Sequence, residues 1–213
     1  MKYLLFDLDG TLTDPGEGIT RSAQYALERL GIEVKDAKEL RPFVGPPLQE
    51  SFQKLYGLDD AAVKAAVAGY REYYSDRGIY ENAIYDGIKG LLEKLREAGK
   101  VILLATSKPT VFAEIVLKTF HIHEYFSFIG GSELDGSRSR KGEVIGYVLD
   151  QMGITELGEA VMIGDREHDV IGAKEAGISS IGVLYGYGEL EELQNSGADK
   201  IVSTVAELAR ELL

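Results

Sequence analysis

Tyr3-Leu4-Leu5-Phe6-Asp7-Leu8-Asp9-Gly10-Thr11 is the stretch that decides how this chain folds. Its first four residues are apolar or aromatic without alternation, as expected of a strand buried on both faces of a parallel sheet. The run then ends in two aspartates one residue apart, followed by a glycine and a threonine. In extended backbone, residues two apart point the same way, so Asp7 and Asp9 can face one site at the mouth of the strand. Like charges that close require a cation or a shared proton. A lone Asp-Gly is usually no more than a turn. The rest of the chain argues for more.

Short apolar runs recur at residues 101–105, 126–129, 160–163 and 180–183, with a weaker one at Lys200–Val202. Between them apolar residues fall at helical spacing: Ile88, Leu91, Leu92 and Leu95, then Val144, Ile145, Val148, Leu149 and Met152. Strands alternating with helices predict an α/β fold with a parallel sheet covered on both faces. Residues 15–84 break the alternation with helix patterns and no convincing strand. Ile19, Ala23, Ala26, Leu27 and Leu30 form one face ending near Gly31, a second helix follows Pro46-Pro47, and a third runs from about Asp59 through Tyr74. The expected organisation is therefore a discontinuous α/β core, residues 1–14 plus 83–213, interrupted by a helical domain at 15–82. Tyr70, Tyr73 and Tyr74 fit helical packing, while Arg71 and Arg77 read as solvated.

Composition narrows the function. The 213 residues are 45% hydrophobic and 27% charged, which is enough apolar material for a sizeable core. A net charge of −12 without a basic cluster argues against nucleic acid as a partner. Zero cysteines remove disulfides, thiolate nucleophiles and Cys-based zinc sites. No apolar run has the length of a membrane span, and the N-terminus meets a carboxylate too early for a signal peptide. The expectation is a cytoplasmic protein with no membrane partner, its oligomeric state left open. Glycine, at 25 residues, exceeds the roughly 7% of average usage and implies close backbone approaches.

Ligands in open parallel sheets bind at the carboxyl ends of the strands. After the 101–105 run comes Thr106-Ser107-Lys108-Pro109, read as a helix cap by Thr106 or Ser107 that also offers an anion site. After the 160–163 run comes Gly164-Asp165-Arg166-Glu167-His168-Asp169, and with Asp7 its aspartates make an oxygen-rich set suited to Mg²⁺. Lys141, at the start of a helix where a cation opposes the dipole, is expected to reach those carboxylates. Tyr185-Gly186-Tyr187-Gly188 follows the 180–183 run and could border the same cleft.

These residues resemble the haloacid dehalogenase superfamily over nearly the whole chain. Its four stations look like Asp7-x-Asp9-x-Thr11, Thr106, Lys141 and Gly164-Asp165-x-x-x-Asp169, in order. The insert is similar to the helical cap of the phosphoglycolate phosphatase-like branch. The resemblance implies a Rossmann-like core and Mg²⁺-dependent hydrolysis of small-molecule phosphate esters through an aspartyl phosphate. It implies Asp7 as nucleophile and Asp9 as general acid and base. Mg²⁺ would sit on Asp7, the backbone carbonyl of Asp9 and Asp165; Thr106, Ser107 and Lys141 would bind phosphate, and Asp169 would orient Lys141 or a metal-bound water. Asp9 separates the chain from dehalogenases and phosphonatases, which lack a carboxylate there. Lys141 is followed by Gly142-Glu143 rather than Pro-x-Pro, and Thr106-Ser107-Lys108 stands where phosphoglycolate phosphatases usually carry Thr-Asn-Lys. The segments Phe43-Val44-Gly45-Pro46-Pro47-Leu48 and Leu134-Asp135-Gly136-Ser137 resemble a branch labelled phosphoglycolate phosphatase or 5′-nucleotidase. A sugar-phosphate mutase is the alternative within this chemistry, and a phospho-accepting signalling module is the alternative outside it.

Overall fold

The computed structural model describes residues 1–213, the side chain of Ala37 excepted. Six strands, β1 (Tyr3–Phe6), β4 (Val101–Pro109), β5 (Phe128–Ser132), β6 (Ala160–Gly164), β7 (Ser179–Val183) and β8 (Lys200–Val202), form one sheet. Its order is β5-β4-β1-β6-β7-β8 and every pairing is parallel, giving the Rossmann-like α/β architecture. Thr13–Asp14 (β2) and Ala83–Ile84 (β3) make a separate two-stranded sheet.

Both faces of the main sheet are apolar, which is why the strands read as unbroken hydrophobic runs. On one side Leu5, Leu103, Ala105, Ala160 and Met162 pack against Val144, Ile145, Val148 and Leu149 of α6 (Lys141–Gln151). On the other side of the pleat lie Leu4, Phe6, Ile102, Leu104, Val161 and Ile163, none more than 1% exposed. Each such side chain contributes roughly 2 kcal/mol of burial free energy. The remaining helices of this unit are α4 (Ile88–Glu97), α5 (Thr110–Thr119), α7 (Glu167–Ala176), α8 (Leu190–Ser196) and α9 (Val205–Leu212). Ile88, Leu91, Leu92 and Leu95 of α4 are buried at the spacing the sequence shows.

The chain divides into two compact units, Met1–Asp14 with Ile84–Leu213, and Pro15–Ala83. The second is helical: α1 (Gly16–Arg29), α2 (Leu48–Tyr56) and α3 (Asp60–Asp76), with short 3₁₀ turns at Ala37–Phe43 and Gly78–Tyr80. Ile19, Ala23, Ala26 and Leu27 of α1 are buried together. Asp59 starts α3 by accepting the Ala62 N–H at 2.8 Å. Tyr70 and Tyr74 are buried and stacked at 5.4 Å, so these rings are packing. Arg77 is exposed, whereas Arg71 is half-buried, a departure from the expected solvated side chain.

Two local expectations are corrected. The helix after β4 begins at Thr110, behind Pro109, and no side chain caps it. Thr106 and Ser107 lie in β4 itself, which continues past a bulge until Pro109 pairs with Ser132. The Ser132 hydroxyl donates to the Ser107 carbonyl at 2.8 Å, holding that extension in the sheet. The strand expected at 126–129 lies further on, because His123–Tyr125 is a 3₁₀ turn and Gly130 and Gly131 belong to the strand.

Candidate active site

In the strand order, β1 sits where the direction of winding reverses: the chain builds β4 and β5 to one side of it and β6 to β8 to the other. The crevice at such a switch point is where open α/β sheets bind ligands. Phe6 pairs with Leu104 on one side and Ile163 on the other, so the residues just past these positions converge. Asp7 follows directly and donates its N–H to the Ile163 carbonyl at 2.9 Å. Asp165 directly follows β6, and Asp169 lies in the first turn of α7.

Asp7, Asp165 and Asp169 are buried, and one carboxylate oxygen from each lies within 4.8 Å of the others. Lys141, the first residue of α6 and equally buried, places its Nζ 2.9 Å from Asp7 Oδ1 and 2.8 Å from Asp169 Oδ1. It also donates to the Ala105 carbonyl at 3.1 Å. Burial opposes the charge on Lys141, but Asp169 and Asp7 together outweigh it and hold the ammonium above its ordinary range. Burial, then the neighbouring carboxylates Asp169 and Asp7, pushes Asp165 well above the usual carboxylate range. Burial likewise lifts Asp169 to about 6 against the pull of Lys141. Three clustered carboxylates, two of them on the Lys141 ammonium, form an all-oxygen donor set, and that set fits a hard divalent cation such as Mg²⁺.

Asp9 belongs to a different arrangement. Its Oδ1 accepts from Lys108 Nζ at 2.6 Å, and its Oδ2 accepts from the same ammonium. Both side chains are buried, and burial raises the Asp9 carboxyl while Lys108 pulls it down. The Asp9 carboxylate is thus engaged by Lys108 and lies outside the acidic trio, leaving its backbone carbonyl for the metal role that the resemblance implies. Lys108 is the functional candidate that the sequence reading passed over. Its signal was present: Thr106-x-Lys108 has the same two-residue spacing as Asp7-x-Asp9, so in extended backbone both face one side. Thr106 is buried and its hydroxyl oxygen accepts the Lys108 N–H at 3.3 Å, whereas Ser107 is only half-buried.

The turn after β7 does border this site. Tyr187 N–H donates to Asp165 Oδ2 at 2.8 Å, and the Tyr185 hydroxyl donates to the Thr11 carbonyl at 3.1 Å. Two glycines permit the crowding. Gly10 has φ +84°, and a Cβ there would stand 2.2 Å from Asp165 Oδ2; a Cβ on Gly164 would stand 2.1 Å from Asp169 Cγ.

A parallel α/β sheet with a buried carboxylate–lysine cluster at its switch point defines an enzyme whose chemistry sits at the strand ends. Residues 4–183 match the model of the haloacid dehalogenase-like hydrolase family, and the chain belongs to that family. It is 50% identical over 191 residues to a 5′-nucleotidase of Pseudomonas aeruginosa, covering 90% of this chain and 86% of that one. It is 40% identical over 214 residues to the tyrosine-protein kinase PtkA of Mycobacterium tuberculosis, covering 99% of this chain and 72% of that one. Among solved structures, a predicted phosphatase from Clostridium acetobutylicum superposes with a TM-score of 0.97 at 48% identity, covering 99% and 97% of the two chains. The chain is a phosphatase-type hydrolase of this family. No helix among the described residues is long and apolar enough to cross a membrane.

Proposed function

We propose that the chain hydrolyses small phosphate monoesters through an aspartyl phosphate on Asp7, with nucleoside 5′-monophosphates as the leading substrate class. The observation that carries this reading is the buried set Asp7, Asp165 and Asp169 around Lys141 at the carboxyl ends of β1 and β6. The 5′-nucleotidase at 50% identity supports the substrate class.

In the first step an Asp7 carboxylate oxygen attacks phosphorus and the bond to the ester oxygen breaks. The electron pair of that bond stays on the leaving oxygen, which takes a proton from Asp9. In the second step water attacks phosphorus, Asp9 takes a proton from it, and the Asp7–phosphorus bond breaks to release inorganic phosphate. Lys141, Thr106 and Ser107 would hold the phosphoryl oxygens, with Lys141 kept in place by Asp169. Mg²⁺ held by Asp7, Asp165 and the Asp9 carbonyl would neutralise phosphoryl charge, which a carboxylate nucleophile needs in order to approach a dianion. Residues 15–82 would act as the cap that the family resemblance implies, and the reading places the protein in the cytoplasm.

A second reading rests on the 40% identity to a tyrosine-protein kinase: phosphotyrosine as the ester. The test is phosphate release with Mg²⁺ from nucleoside 5′-monophosphates, phosphoglycolate, sugar phosphates and phosphotyrosine peptides. Preference for 5′-monophosphates is the expected result. Preference for phosphotyrosine would install the second reading, and isomerised sugar phosphate without released phosphate would mean a mutase.

A further inference from the structure

Lys108 is a buried cation that the mechanism above does not use. We propose that it is a positioning residue, fixing the Asp9 carboxylate for proton transfer to the leaving oxygen. The inference deepens the proposed function and rests on the acid–base role given there to Asp9.

The geometry has three parts. First, Lys108 Nζ donates to both Asp9 oxygens, and two bonds from one ammonium fix the plane of the carboxylate. An acid that must meet a leaving oxygen needs that constraint, because small misplacements cost large factors in rate. Second, the Lys108 backbone is itself immobilised. It lies in β4, its N–H is bonded to the Thr106 hydroxyl oxygen, and the next residue, Pro109, pairs with Ser132. On its far side Gly131 fits so closely that a Cβ would come within 2.5 Å of the Lys108 carbonyl oxygen. The lysine is therefore presented by a braced strand and not by a loop. Third, both partners are buried, so the pair is little screened by solvent and neither group is free to turn away to water. Lys141 has its own partners in Asp7, Asp169 and the Ala105 carbonyl, so the two lysines divide the site between them.

The role can be read without reference to the acidity of any one group. Proton donation matters most when the leaving group is strongly basic, and hardly at all when it departs as a stable anion. Substituted phenyl phosphates of similar size separate the cases. With Mg²⁺ present, Lys108→Met should lower kcat/KM about 100-fold for p-methoxyphenyl phosphate and only about 5-fold for p-nitrophenyl phosphate, the range that loss of a placed general acid gives. Lys108→Arg should move the dependence on the leaving group back towards wild type. Asp9→Asn provides the reference slope. Should Lys108→Met fail to fold, judged by circular dichroism, Lys108→Gln carries the same comparison.

Equal losses on every ester in the folded Lys108 variants, beside a steep dependence in Asp9→Asn, would overturn the positioning role alone. That pattern would make Lys108 a phosphate contact or a part of the packing. A flat response in Asp9→Asn as well would overturn the acid assignment beneath it.

Discussion

Two buried lysines, Lys108 near the end of β4 and Lys141 at the start of α6, stand in opposite electrostatic circumstances. Lys108 meets one carboxylate, Asp9, through both oxygens. Lys141 meets Asp7 and Asp169, with Asp165 adding a third carboxylate to the same space. The first arrangement matches one ammonium with one carboxylate, whereas the second carries more negative charge than its lysine can balance. The difference teaches where a site is built to receive something. A one-to-one pair balances its own charge, but buried carboxylates in excess hold their charge only at the expense of raised protonation or with a bound cation.

The comparison breaks most dramatically at Asp7. Asp7→Asn should lower phosphate release by about 10⁴-fold or more, because the proposed covalent route would be gone. Removing one of several crowded charges should leave the fold intact, so circular dichroism should match wild type. Turnover within tenfold of wild type would remove Asp7 from the nucleophile's role.

Next comes the balance around Lys141. Lys141→Met strands buried carboxylates without their ammonium, a loss of about 3–5 kcal/mol, equivalent to a Tm lower by roughly 10 °C in a chain of this size. Asp165→Asn removes a carboxylate from the excess and should melt at or above wild type in EDTA, while no longer gaining Tm on addition of Mg²⁺. Calorimetry of both variants with and without Mg²⁺ decides the point. An Asp165→Asn protein that melts lower in EDTA would contradict the excess-charge account.

The smallest effect is in pH. Burial pushes Asp169 up to about 6 in the fold against an ordinary 3.8, and it pushes Asp165 well above the usual carboxylate range as well. Carboxyls raised by folding bind more protons folded than unfolded, so their contribution to stability is greatest at low pH and falls as pH rises through the folded value. In EDTA, Tm should therefore drop by a few degrees between pH 5 and pH 7.5, with Mg²⁺ flattening the slope. A metal-free Tm that rises over this interval would contradict the sign.

What the sequence disclosed follows the same division. Asp7 and Asp165 were legible because each stands at the end of an apolar run, with Asp9 and Asp169 two and four residues further on, and strand ends are where α/β sheets place chemistry. Lys141 was legible because a cation at a helix start opposes the dipole and so needs a partner. Lys108 was hidden by Pro109: a Ser-Lys-Pro sequence reads as the beginning of a helix, yet the strand runs on because its edge is bonded to Ser132. The later start of β5 was hidden by Gly130 and Gly131, which are poor strand formers on propensity. They are required by proximity, since a Cβ on Gly130 would come within 2.2 Å of Val148 Cγ2. Tertiary crowding chose those residues, and periodicity cannot report it.

The position of β1 has a consequence for how the molecule is made. It comes before every other strand of its sheet along the chain, yet it lies between β4 and β6, and Tyr3 finds its second partner only at Ala160. The central strand must therefore remain unpaired on one edge until most of the polypeptide has left the ribosome. Such long-range pairing slows folding and leaves an apolar strand exposed to wrong partners in the interval. The helical segment Pro15–Ala83 is contiguous, and its main packing, α1 against α3, closes within the segment itself. During translation it can acquire structure while Tyr3–Phe6 waits, so the interruption separates the first strand from its partners in time as well as along the chain.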